Sequence, residues 1–147
     1  MTAFLLDVNV LIALCWRGHP HHAVVSKWFS RHGSHRWATC PFTQVAFVRI
    51  VSDPVFSVHA ASPTEAVMLL KANVEHVGHQ FWPDDITLVE AIGEFRSRLV
   101  GHQQVSDAYL LGLAIRKKAK LATLDRGILD LLHPEATHRE SVELLGE

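Results

Sequence analysis

The sequence predicts a three-layer α/β fold, with helices on both faces of a mainly parallel sheet. Two short apolar runs, Ala3 to Leu6 and Leu121 to Leu124, each end in an aspartate and are too brief for helices, so both read as buried strands. Stretches of helical periodicity lie between them, and strands that alternate with helices pair in parallel. A chain of 147 residues is long enough for one core and short for two, so residues 1–147 are read as a single domain.

After the first strand, Val8 to Trp16 has a helical pattern, broken by Gly18, His19 and Pro20. A second amphipathic stretch, His21 to Arg31, is closed by Gly33. Arg36 to Cys40 reads as the second strand, and Pro41 starts a helix that runs to about Ser52, where Asp53-Pro54 stops it. Ser62, Pro63 and Glu65 form a capping box that opens a helix to about Val77. Gln80 to Trp82 is a short third strand, and Ile86 to Leu99 reads as a helix weakened by Gly93. The strongest helix is Val105 to Lys118, with Tyr109, Leu110, Leu113 and Ala114 on one face and basic residues at its negative end.

Composition restricts the function classes. Hydrophobic residues make up 48% and charged residues 20%, an ordinary globular balance. With a formal net charge of −1, any nucleic acid must be held by local basic groups, because the chain as a whole does not attract phosphate. Cys15 and Cys40 have neither zinc nor disulfide spacing and read as reduced core residues of a cytoplasmic protein. The apolar stretch from Ala3 to Trp16 lacks a basic leader, is interrupted by Asp7 and Asn9, and is too short to span a bilayer, so no membrane association is expected. The 11 histidines show no finger-like or H-E-x-x-H spacing.

In open α/β sheets ligands bind beyond the carboxyl ends of the strands, and Asp7 and Asp125 both follow strands. A helix that feeds the strand before Asp125 runs back along the sheet, so Asp107, near its start, stands at the far end. Three carboxylates meeting there would repel one another, and a divalent cation is the usual remedy. Oxygen ligands select a hard ion, Mg2+ with Mn2+ as a substitute, which can acidify a water and stabilise charge on a phosphate.

The motifs that carry these residues resemble one family. Leu5-Leu6-Asp7-Val8-Asn9-Val10-Leu11-Ile12 is similar to the opening of PIN domains, and the segments Pro41 to Arg49, Val105 to Ala114 and Ala122 to Gly127 are similar to its later motifs, in the order seen in VapC-type toxins. The resemblance covers essentially the whole chain. It implies a PIN-like α/β/α sandwich and a magnesium-dependent ribonuclease that cleaves RNA. It further implies a small VapB-like antitoxin partner and a homodimeric toxin.

Carried over by position, Asp7, Asp107 and Asp125 match acidic metal-site residues. Asn9 and Thr123 match polar residues that support the site and are grouped with the substrate-facing positions. Gln44 stands where the family carries a glutamate; its amide can accept a hydrogen bond but brings no charge, so one ion is expected to bind acceptably and a second weakly. Arg49 and Arg126, close in sequence to site positions, are the candidates for phosphate contact. Apolar surface around Trp28 and Phe29 is expected to meet a twin subunit or the antitoxin.

Each feature also has a plainer reading. Asp7 and Asp125 could be helix caps, Asn9 a cap of the first helix, and Thr123 a filler of a strand position. The cluster of Arg116, Lys117, Lys118 and Lys120 reads first as a solvated helix end. Two other functions stay open. One is a PIN scaffold that binds RNA or an antitoxin without turnover, for which Gln44 is the reason. The other is an aspartyl phosphatase with Asp7 as nucleophile, against which Asn9 occupies the place of the second carboxylate that chemistry wants.

Overall fold

Strand β1 (Phe4–Leu6) serves two cores at once: Phe4 and Leu6 join one buried cluster, and Leu5 joins the other. That alternation is what a strand covered on both faces requires. The computed structural model describes residues 2–134 and 137–146. β2 (Trp37–Thr39) and β4 (Lys120–Thr123) split in the same way, with Trp37 and Ala122 on the side of Phe4, and Ala38 and Leu121 on the side of Leu5. Helices α1 (Val8–Cys15), α2 (His22–Trp28), α3 (Pro41–Val51) and α4 (Pro63–Val74) cover the first face. The short α5 (Leu88–Ala91) and the long α6 (Gln104–Arg116) cover the second.

With β3 (His79–Phe81) and β5 (Val142–Leu144) the sheet runs β3-β2-β1-β4-β5, and every neighbouring pair is parallel. The chain builds outward from β1 through β2 to β3, then returns to lay β4 and β5 on the opposite side. The switch point therefore falls between β1 and β4, and the crevice beyond their carboxyl ends is where such sheets receive ligands. The three-layer α/β fold with a parallel sheet is thus the one the sequence predicts. Among the described residues no helix is long and apolar enough to cross a membrane.

Several boundaries follow the local chemistry. Ser62 accepts the Glu65 N–H at 3.2 Å and Glu65 reaches back to the Ser62 N–H at 3.3 Å, the expected capping box, although α4 ends at Val74 rather than Val77. After α6, Lys118 takes the left-handed conformation at φ 55°, which turns the chain into β4. α2 passes into a wider helical turn over Phe29–Gly33 before β2.

Two expectations are corrected. The helix read over Ile86 to Leu99 is only α5, followed by turns and a 3-10 turn at Arg96–Arg98. The chain bends after Ile92 and Gly93, yet still buries both Ala91 and Phe95 against α6. Trp28 is not an exposed anchor: it is 9% accessible, its ring meets Phe4 edge-on at 5.0 Å, and its Nε1–H donates to Glu143 at 3.1 Å. Phe29 is half-buried and packs edge-on against Trp37. β5 is an element the sequence reading did not include, because Val142–Leu144 offers too short a pattern.

Gly112 marks where α5 and α6 touch. A Cβ there would lie 2.2 Å from the Ala91 carbonyl oxygen and 2.7 Å from its carbon, both backbone atoms that cannot rotate away. Gly112→Ala should therefore cost roughly 1–3 kcal/mol in chemical denaturation. Gly101→Ala, whose Cβ meets nothing within 4 Å, should stay within about 0.5 kcal/mol of the parent; equal effects would remove the close approach as the cause.

A candidate metal centre at the carboxyl edge

Asp7 follows β1 at the switch point and is only 4% accessible. Its backbone N–H still belongs to the sheet, donating to the Ala122 carbonyl at 2.9 Å. Its side chain caps α1: Oδ1 accepts the Val8 N–H at 2.7 Å. The other oxygen, Oδ2, accepts the Thr123 hydroxyl at 2.6 Å. Burial pushes the Asp7 carboxyl above the usual range, the bonds from Thr123 and Val8 pull it back, and the Asp125 charge raises it further.

Thr123 ends β4 and is fully buried. Its Oγ1 donates to Asp7 and accepts the Asp125 N–H at 3.1 Å, so one hydroxyl ties together the acids that follow the two central strands. Thr123 therefore supports the carboxylates from beneath and has no surface to offer a substrate, which corrects its place among the substrate-facing positions. Asp125 is exposed and caps the 3-10 turn Arg126–Leu131, its Oδ1 accepting the Gly127 N–H at 2.8 Å. A Cβ on Gly127 would press to 3.0 Å from that oxygen.

Asp107 comes from the first turn of α6 and completes the group. Its carboxyl is pushed up to about 7, first by burial, then by the charges of Asp7 and Asp125, and by a hydrogen bond with Asp125. The three aspartates thus share one electrostatic neighbourhood although they lie far apart in sequence. Among the described residues no three His, Cys, Asp or Glu groups already stand as a ready set of ligands around one point. Asp7 is held by its cap and by Thr123, while Asp107 keeps its proton up to about 7. The donor set is nonetheless all carboxylate oxygen, partly buried and mutually repelling, which suits a hard cation and not a soft one.

The remaining sequence candidates divide. Gln44, half-buried in the first turn of α3, donates its Nε2–H to Thr39 Oγ1 at 3.0 Å. Asn9 is half-buried at the second position of α1; Asp7, not Asn9, is the cap. Arg126 is exposed between Asp125 and Gly127. Arg49 is exposed and lines a second depression, with Phe42, Val45 and Asp84.

A groove of about 830 Å³ opens beside the acids, with Asp107 and Asp125 in its wall together with Arg98, His102, Gln103 and Asp130. Arg98 is half-buried and spans the groove to donate its Nε–H to the Asp130 carbonyl at 3.0 Å. The sequence reading missed Arg98 because it sits nine positions before Asp107, outside any motif. Only the turn through Gly101, whose N–H and that of Val100 are both held by Gln104 Oε1, brings it back.

Comparison with known proteins agrees with this arrangement. The family model described as PIN domain matches residues 4–134. A protein named Ribonuclease VapC39 from Mycobacterium tuberculosis is 42% identical over 130 residues, 88% of this chain and 93% of that one. Ribonuclease VapC38 from the same organism is 40% identical over 141 residues, 96% of each chain. Of solved structures, the sarcin-ricin loop cleaving toxin VapC20 of Mycobacterium tuberculosis superimposes with a TM-score of 0.64 at 13% identity, covering 90% of this chain and 98% of that one. DNA-bound VapBC from Salmonella typhimurium gives a TM-score of 0.58 at 13% identity, covering 97% and 98%. At those identities the solved structures attest the fold alone.

The raised Asp107 carboxyl has a consequence for stability. Between the ordinary 3.8 and about 7 the folded protein holds this proton more firmly than the unfolded chain. Its contribution is therefore most favourable in acid, declines as pH rises through that window, and is level above it. Without divalent ions, Asp107→Asn should be more stable than the parent by roughly 1–2 kcal/mol at pH 8, screening included, and indistinguishable from it near pH 4. Denaturant melts in chelator across that pH range check this, and a variant less stable at pH 8 would contradict it.

Proposed function

The chain belongs to the PIN-domain family, and on that premise we propose that it is a metal-dependent endoribonuclease, the toxin of a VapBC-type toxin–antitoxin pair. The observation that carries the reading is the meeting of three carboxylates at one sheet edge: Thr123 ties Asp7 to the Asp125 N–H, and Asp107 and Asp125 line one open groove. Curated relatives at 36–42% identity are named ribonucleases, and solved structures of the same fold include complexes of toxin with antitoxin.

In this reading Asp7, Asp107 and Asp125 hold Mg2+, with Mn2+ as a substitute. When bound, such an ion supplies positive charge against the scissile phosphate and makes the attacking water more acidic. The protein's own groups do the rest. Thr123 fixes the orientation of Asp7 and, through the Asp125 N–H, the start of the turn that carries Asp125. Asp107 keeps its proton up to about 7 and would have to give it up to serve as a ligand, so cation binding is expected to strengthen as pH rises through about 7. Arg98, anchored at Nε by Asp130, turns its remaining N–H groups to a phosphate lying in the groove, and Arg126 stands at the rim next to Asp125. Asn9 supports the same edge from α1, and Gln44 adds a neutral group from α3. The partners of this reading are an RNA substrate, a small VapB-like antitoxin and a second copy of the chain.

The neutral Gln44 favours one further reading, a PIN scaffold that binds RNA or an antitoxin without turnover. Incubation of the purified protein with RNA in Mg2+ or Mn2+ separates the two. Cleavage should appear, cease in chelator, and fall by about 100-fold or more in Asp7→Asn, which removes a ligand's charge. Cleavage that survives chelation defeats the mechanism; intact RNA with every metal, alongside retained binding, establishes the scaffold.

RNA binding, measured in the cleavage-deficient Asp7→Asn background, tests the groove. Arg98→Ala should weaken binding at every sequence and reduce the slope of log K against log salt by about 0.7, the loss of one contact to single-stranded phosphate. Arg49→Ala, in its separate depression, should leave the slope unchanged. The reverse result would move the substrate path to α3.

A further inference from the structure

We infer that Thr39 and His79 are positioning residues for Gln44: a directional chain of hydrogen bonds holds the Gln44 amide nitrogen inward and leaves its oxygen for the acidic edge. The inference deepens the reading above and rests on it for its functional meaning, but the chain itself is a property of the fold.

The chain starts at the amide. Gln44 Nε2–H donates to Thr39 Oγ1 at 3.0 Å. The other contact of that oxygen is His79 Nε2, 2.7 Å away, and the single hydroxyl hydrogen of Thr39 is free to go to it. A neutral imidazole has one N–H, so with Nε2 accepting, the hydrogen of the ring falls to Nδ1. Burial holds the ring toward that neutral form, and its edge-on contact with Trp37, centroids 4.8 Å apart, holds its orientation.

The polarity is self-consistent along the chain. With its one hydroxyl hydrogen on His79, Thr39 can only accept from Gln44, as the Nε2 contact at 3.0 Å requires. Thr39 is fully buried, which shields both bonds from solvent. Nitrogen and oxygen of a glutamine are otherwise nearly interchangeable in shape, and only the network chooses between them.

The consequence is electrostatic. Gln44 stands in the first turn of α3, which begins just beyond β2, and β2 is the parallel neighbour of β1, the strand that leads into Asp7. Flipped, its amide would present N–H groups where a cation is to be held. Pinned, it presents an oxygen with free lone pairs, a neutral counterpart to the three carboxylates.

Two measurements test the chain. Nitrogen-15 correlation spectra of the unliganded protein should show His79 as the Nδ1–H tautomer; in Gln44→Glu, where the carboxylate can only accept, they should show a switch to Nε2–H or to the doubly protonated ring. An Nε2–H tautomer in the parent overturns the inference without reference to metal or activity. Calorimetry with Mg2+ alone reads the consequence: Thr39→Val, which keeps shape and removes the hydroxyl, should bind roughly tenfold more weakly, and Thr39→Ser should restore the affinity. Thr39→Val binding as tightly as the parent rejects the positioning role. A parent that binds no Mg2+ at all counts against the metal reading instead, and the tautomer still decides the chain.

Discussion

Like charges gathered in a partly buried place raise one another's free energy, and this repulsion shapes the molecule from the sheet outward. The strand order β3-β2-β1-β4-β5 puts the switch point between β1 and β4, and the residues directly beyond those strands are Asp7 and Asp125 or their immediate supports. α6 runs back along the sheet and delivers Asp107 to the same edge. Without a cation the fold has few ways to lessen the repulsion, and it uses them all: a cap at Val8, a buried hydroxyl at Thr123, and a proton kept on Asp107 at neutral pH. An arrangement that is unfavourable when empty is one that a divalent ion relieves on entry.

The plain and the functional readings of Asp7 turn out to be compatible. It is a helix cap, with Oδ1 on the first N–H of α1, and the same bond fixes its second oxygen at the hub formed by Thr123. Capping removes the rotational freedom that a flexible carboxylate would lose on binding a ligand. Asp125 repeats the pattern at the following 3-10 turn, its Oδ1 on the Gly127 N–H. The centre is thus built from ordinary helix-start chemistry that the parallel topology brings to one edge.

What could be read in advance follows from how local each signal is. β1 and β4 were legible because a short apolar run ending in aspartate needs no distant partner to be recognised, and α6 because its apolar face repeats over several turns. The opening of α4 was legible from its capping box. The break after α5 was not: Ile86 to Leu99 has helical periodicity, and the bend depends on Ala91 meeting Gly112, a contact that no local pattern records. β5 gains its identity only by pairing with β4. Trp28 could be read as a core or an interface anchor, and what decides for the core is its partners Phe4 and Glu143, which lie far off in sequence. Arg98 went unnoticed for the same reason, since it reaches the groove through the turn at Gly101 and the Asp130 carbonyl.

The neutral residue at position 44 can be weighed on the same scale. Two unit charges about 4 Å apart at an effective dielectric near 20 interact by about 4 kcal/mol. A fourth carboxylate would add several such repulsions to a site where Asp107 already holds its proton up to about 7. Glutamine removes that cost, and with it part of the attraction for a cation. What orientation can restore is the direction of a dipole: an amide whose nitrogen is committed to Thr39 offers its oxygen alone. The attraction of such a dipole falls off faster with distance than that of a charge. A site of this composition is therefore more sensitive to where Gln44 is held than one with glutamate, and the buried chain through Thr39 and His79 supplies that constraint.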